Sequence, residues 1–183
     1  KGKVRVLIPA GQQSDLPCST SLDTTCYDDS GSRKAHVVQL MKHVRALVNE
    51  RRPTLIHAHG TFAGVAVRLA LLTVRNAPPV VYCAHGWAFD REGAAWKNKV
   101  IATIERLLSP LAKKTICISA HDKQSAIAYG FNPDRLVVVL NGIRDESAGP
   151  SGPDVSWPEG KRRLLFAGRF DRQKGVDIFF DEI

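Results

Sequence analysis

The stretch TLIHAHGTFAGVAVRLALLTVRNAPPVVYCAH, residues 54–85, reads as strand, helix and strand. Thr54 to Ala58 is a short apolar run, and Phe62 to Val74 is a segment apolar enough to be a buried helix. Pro79 to Ala84 is a second short run, ending in His85-Gly86. Short apolar runs of strand length that flank a helix-length segment define a βαβ unit, which brings parallel strands together.

The pattern continues in both directions. Val4 to Ile8 is a strand, and residues 11–31 form a Ser/Thr/Asp-rich loop with no apolar period. Val37, Leu40, Met41, Val44, Leu47 and Val48 recur at helical spacing until Pro53 ends that helix. Trp96, Val100, Ile101, Ile104, Leu107, Leu108 and Leu111 trace one face of a long helix. Lys114 to Ile118 is a strand, with Ser119 placed to cap the next helix. Arg135 to Leu140 is another strand, closed by the turn pair Asn141-Gly142. Alternation of this kind predicts an α/β fold, a Rossmann-like parallel sheet with helices on its faces. Residues 148–160 are rich in Gly, Pro and Ser and read as a linker. A fresh strand then starts a second domain.

That second beginning, KRRLLFAGRFDRQKG at residues 161–175, carries the most chemistry. A strand ends in Gly168, Arg169 and Lys174 follow, and Gly175 opens a helix. Backbone N–H groups and the helix dipole favour an anion at such a turn, and the two cations add full charges. Lys/Arg clusters are more often solvated surface, so context must decide. The phosphate-binding P-loop is excluded because Lys174 is followed by Gly175, and no G-x-G-x-x-G run is present.

Composition sets broad limits. The 183 residues carry a net charge of +8, 44% hydrophobic and 24% charged residues, as an ordinary globular protein with an anionic partner does. The positive charge is scattered, and no nucleic-acid motif with interleaved aromatics accompanies it. Cys83 and Cys117 lie in apolar runs as small hydrophobes, while Cys18 and Cys26 lie in the polar loop without metal-ligand spacing. A reducing cytoplasm is expected. No apolar run reaches the length of a membrane span.

In a parallel sheet ligands gather beyond the C-terminal strand ends. His57-Ala-His59-Gly60, His85-Gly86-Trp87 and Asn141-Gly142 all fall there. His57 alone reads as a strand-end packing residue with its nitrogens satisfied by backbone. His85 reads as functional, because Gly86 clears space and Trp87 and Phe89 offer flat walls for a sugar pocket rim. His57, His59 and His85 together are also a zinc trio, which makes a metal-dependent hydrolase the alternative activity.

Taken together, His59-Gly-Thr, Tyr82-Cys-Ala-His85-Gly-Trp-Ala-Phe89, Ile118-Ser119, Leu140-Asn-Gly-Ile143 and Phe166-Ala-Gly-Arg-Phe-Asp-Arg-Gln-Lys-Gly175 resemble GT-B glycosyltransferases of the family 4, or group 1, type. Their likeness is greatest to bacterial enzymes of capsular and exopolysaccharide synthesis.

The resemblance implies two Rossmann-like domains. Residues 1–147 would be the N-terminal, acceptor-side domain without its first strand. Residues 148–160 would be the linker, and 161–183 the first strand, loop and helix start of a nucleotide-sugar domain. It also implies a retaining, metal-independent transfer with no cofactor, from a nucleotide-diphosphate sugar to a glycan or lipid-linked acceptor. His85 would face the donor sugar as the catalytic residue, and Gly168, Arg169, Lys174 and Gly175 would bind the donor diphosphate. His59, Gly60, Gly86, Asn141 and Gly142 would line the cleft and hinge.

The family's glycine-rich loop and its paired glutamates would lie outside residues 1–183, so this segment is expected to be inactive alone. A peripheral contact with the inner face of the membrane, through Trp96 to Lys114, is compatible with a lipid-linked acceptor. Helix patterning favours instead an apolar face that covers the sheet.

Overall fold

A computed structural model describes residues 3–15, 23–142, 160 and 178. The chain divides into two compact units, 1–141 and 142–183, and the first holds nearly all of the described residues. The sequence-predicted strand, diphosphate loop and helix start at 161–183 apart from Ile178, and the linker at 148–160 apart from Gly160, lie outside the described residues.

β1 (Arg5–Pro9) pairs in parallel with β2 (Asp23–Tyr27), from Arg5 beside Asp23 to Pro9 beside Tyr27. An ion pair between the Arg5 and Asp23 side chains holds the open end of this ladder. The loop expected over residues 11–31 therefore contains a strand. Its sequence, DTTCY, hides it, because no apolar alternation is present and only β-branched and aromatic propensity remains.

The second sheet has the order β3-β4-β5-β6, all parallel: β3 (Ile56–His59), β4 (Val80–Cys83), β5 (Lys114–Cys117) and β6 (Leu136–Val138). One continuous sheet was expected, whereas β1 and β3 belong to different sheets.

Helices connect the strands. α1 (Arg33–Arg51) starts where the Ser32 hydroxyl accepts a hydrogen bond from the Ala35 amide at 3.3 Å. It stops at Arg52, which takes a left-handed conformation (φ 45°) just before Pro53. Leu40, Val44 and Val48, four residues apart, form its buried stripe. α2 (Thr61–Leu71) links β3 to β4 and buries Gly64, Ala66, Val67, Ala70 and Leu71, while Phe62 and Leu72 at its ends are exposed. α4 (Ala120–Ala128) begins as expected at Ser119, whose hydroxyl accepts from the Asp122 amide at 3.0 Å.

α3 (Ala95–Leu108) departs from expectation. Its apolar residues do not make one face that covers the sheet. Trp96, Val100, Ile104 and Leu107 recur at i, i+4, i+8 and i+11, and all are exposed, Trp96 by 66%. The inward side instead buries Ala102 and Glu105, with Ile101 and Leu108 half-buried. Apolar positions spread over too wide an arc for all of them to face inward.

The core lies against both sides of β4. Val80, Tyr82 and Cys83 are all buried, as a central parallel strand requires.

Candidate functional site

Parallel register sets the geometry. His57 lies beside Val81, and His59 beside Cys83, at the C-terminal ends of β3 and β4. Two-residue periodicity puts His57 and His59 on one face of β3, with Ala58 buried on the other. Just past the strands, the Gly60 amide donates to the Cys83 carbonyl at 2.8 Å and ties the two ends together. Gly60 has φ 79° and starts α2; a β-carbon there would meet no atom within 4 Å, so backbone conformation rather than space calls for glycine.

The turn after β4 is more unusual. His85 is left-handed at φ 53°, followed by Gly86 at φ 89°. A non-glycine residue held there stores strain, and such strain collects at functional sites. The turn brings His85 Nε2 to 2.8 Å from His59 Nδ1, with the rings nearly parallel and 5.1 Å apart. His57 lies on the other side of His59, ring to ring at 4.0 Å. The structure thus brings the three histidines together. It corrects the reading of His57, which is exposed and lies tilted against His59 rather than packed into the strand end.

Partial shielding by neighbours holds the His59 ring below the ordinary histidine pKa, and the adjacent His57 and His85 lower it further. His57 is lowered by the same shielding, and then by His85. Both rings are therefore neutral at pH 7, with one nitrogen donating and the other accepting. These two neutral imidazoles can hydrogen-bond a hydroxyl-rich ligand in either sense.

Cys83 was not recognised from sequence as part of this site. Its Sγ, His59 and His85 offer three ligand-grade atoms, all within 4.8 Å of one another. The signal was its strand-end position between the two histidines, but only the register with β3 gives that position meaning.

Trp87 and Phe89 correct an expectation. They are not a pocket rim: both are buried, Phe89 by all but 2% of its surface. Trp87 stacks on Phe89 at 5.0 Å and meets Phe131 at 5.1 Å, and its indole N–H donates to the Asp122 carbonyl at 2.8 Å. These aromatics pin the turn after His85 onto α4, which supports the histidine without touching a ligand. Gly86 does leave open space, since a β-carbon there would meet nothing within 4 Å. Asn141 and Gly142 are exposed beyond β6. Gly168, Arg169, Lys174 and Gly175 lie outside the described residues.

A parallel α/β unit with its polar groups gathered at the strand ends belongs to the Rossmann-like class. Within that class, the model of Glycosyltransferase Family 4 matches residues 8–147, and the chain belongs to this family. A Klebsiella pneumoniae protein named as an uncharacterized 41.2 kDa protein in the cps region is 28% identical across 97% of this chain and 51% of its own length. The α-maltose-1-phosphate synthase of Mycolicibacterium smegmatis is 28% identical across 78% of this chain and 40% of its own. The chain thus spans about half the length of the curated relatives it matches.

Among solved structures, Anabaena Alr3699/HepE in complex with UDP-glucose superposes with a TM-score of 0.52 at 17% identity, over 76% of this chain and 44% of that one. The UDP-N-acetylglucosamine 2-epimerase of Rickettsia bellii gives 0.50 at 10% identity, over 73% and 43%. These likenesses are of fold, and they agree with the GT-B type expected from the sequence.

Proposed function

We propose that this chain is part of a retaining, metal-independent glycosyltransferase that moves a sugar from a nucleotide-diphosphate donor to a glycan or lipid-linked acceptor in polysaccharide synthesis. The observation that carries the reading is the pairing of His59 with His85 at adjoining strand ends, in a chain of Glycosyltransferase Family 4. The name of the Klebsiella relative, in a cps region, supports the polysaccharide setting, and the UDP-glucose bound to the Anabaena protein supports a nucleotide-sugar donor.

In this reading residues 1–147 form the acceptor-side domain, 148–160 the linker, and 161–183 the opening of the donor domain. Residues 1–183 alone are inactive, because the donor site is shared with chain outside them. His85 faces the donor sugar. Gly168, Arg169, Lys174 and Gly175 hold the diphosphate, while His59, Gly60, Gly86, Asn141 and Gly142 line the cleft and hinge.

The chemistry follows from charge. Breaking the glycosyl–phosphate bond leaves negative charge on the departing diphosphate. The cationic side chains of Arg169 and Lys174 stabilise that charge as it develops, which lowers the barrier without a metal. No cofactor takes part.

The enzyme works in the cytoplasm, at the inner face of the membrane where lipid-linked acceptors lie. The exposed stripe of α3, with Lys97 and Lys99 beside it, supports that contact. No helix among the described residues is long and apolar enough to cross a membrane.

The test is transfer from a labelled nucleotide sugar by the protein extended through a complete second domain. Arg169→Ala and Lys174→Ala each lower turnover about a hundredfold or more, the loss of one stabilising donor being ~3 kcal/mol. Near-normal turnover in both variants overturns the diphosphate assignment. Transfer by residues 1–183 alone overturns the claim that the segment is incomplete.

A further inference from the structure

The reaction scheme above uses His85 but gives no role to the thiol beside it. His59 Nδ1 and His85 Nε2 face each other at 2.8 Å, so one carries a hydrogen and the other presents a lone pair to it. Cys83 Sγ completes a triangle in which no two donor atoms are more than 4.8 Å apart. In a tetrahedral zinc site with bonds of about 2.0–2.3 Å, ligand atoms stand roughly 3.3–3.8 Å apart. A cation seated here needs the histidine pair to open slightly and the thiol to draw in. The imidazoles are exposed and able to rotate, while Cys83 is buried and fixed by β4.

We propose that His59, Cys83 and His85 bind one soft divalent cation of the zinc class, and that its occupancy withdraws His85 from the sugar donor.

Donor softness sets the class of ion. A thiolate with two imidazoles selects zinc-like ions, whereas magnesium and manganese prefer carboxylate and carbonyl oxygens, and this triangle contains none. Binding balances simply. The cation takes the place of the hydrogen between the two nitrogens, and that ring carries its hydrogen on its other nitrogen instead. The thiol proton leaves to solvent, and water or an anion fills the fourth position. The ion is an inhibitor, not a cofactor, so the transfer itself stays metal-independent. This regulatory half rests on the assignment of His85 to the donor; the metal site does not.

Cobalt(II) titration of the whole chain tests the site directly, because a bound thiolate produces a sulfur-to-cobalt charge-transfer band. One equivalent per chain is expected to develop the band, and zinc to abolish it by competition. Cys83→Ser, which keeps the size of a buried residue, removes the band without lowering the unfolding temperature. His59→Ala and His85→Ala, at exposed positions, each weaken binding at least tenfold, while His121→Gln on α4 leaves it unchanged. Absence of the band, or its survival in Cys83→Ser, overturns the metal site. In the transfer assay, zinc inhibits and a chelator restores activity. Zinc-bound protein that transfers sugar at an unchanged rate overturns the inhibitory role and removes His85 from the donor site, with the metal site left standing. Intact transfer without any cobalt band does the reverse.

Discussion

Arg68 on α2 donates from Nη2 to Oε2 of Glu105 on α3 at 2.7 Å, and both side chains are enclosed in the core. The pair sits in a larger network. Arg68 Nε donates to the Gly64 carbonyl at 2.7 Å, the guanidinium lies 4.4 Å from the Tyr82 ring centre, and the Tyr82 hydroxyl donates to Glu105 at 3.3 Å. Burial, and then the Glu105 charge, push the Tyr82 hydroxyl far above its ordinary pKa, so it remains a donor. Two helices and the central strand are thus locked together just before Cys83 and His85.

Removing one partner leaves a buried charge alone. Glu105→Ala is expected to destabilise the protein by about 3–5 kcal/mol in urea unfolding. Arg68→Leu with Glu105→Leu should cost markedly less than Glu105→Ala, because neither charge then remains unpaired. A double variant no more stable than the single one rejects the account.

Gly64 lies where α2 meets Tyr82. A β-carbon there would stand 2.3 Å from Tyr82 Cε2, and the Arg68 guanidinium, one turn along α2, lies over the same ring. Gly64→Ala, at a helical position where alanine is otherwise favourable, is expected to lose about 1–3 kcal/mol. Adding Tyr82→Leu should recover part of that loss relative to Tyr82→Leu alone. A stabilising Gly64→Ala in thermal unfolding counts against the close approach.

The histidine stack makes stability depend on pH. His57 and His59 are both held below their ordinary pKa in the folded protein. The unfolded chain therefore binds protons first, and their contribution is present above about pH 6.5 and lost as pH falls towards the lowered folded values. The unfolding temperature should drop between about pH 7.5 and about pH 5, and His57→Gln with His59→Gln should lessen that drop. An unchanged pH slope in the double variant removes the stack as its source.

The stripe of Trp96, Val100, Ile104 and Leu107 covers no core, so its loss should leave stability unchanged within about 0.5 kcal/mol. Co-sedimentation with anionic vesicles at low salt is expected for the parent. Trp96→Ser with Leu107→Ser should reduce it about tenfold or more, and raised salt should weaken it. No sedimentation of the parent at low salt dismisses the membrane contact.

Much of the fold was legible because periodicity records burial. Leu40, Val44 and Val48 announced α1, Ser119 announced the start of α4, and the runs at 54–58 and 79–84 announced adjoining parallel strands. β2 was not legible, since DTTCY has polar residues where a buried strand shows alternation. Nor could composition tell an aromatic that lines a pocket from one that fills the core, so Trp87 and Phe89 were misplaced.

By itself, the sequence determined the order of elements from α1 onward and the histidines at the strand ends, because these follow from local period and residue type, while its motifs carried the resemblance to the family. Tertiary structure alone decided that His59 stands beside Cys83, that His85 turns back to meet them, and that Glu105 rather than an apolar residue faces inward from α3. Those relations join residues 24 to 37 positions apart, through strand register and helix packing. No local pattern along the chain encodes them, because each depends on which neighbour the fold supplies.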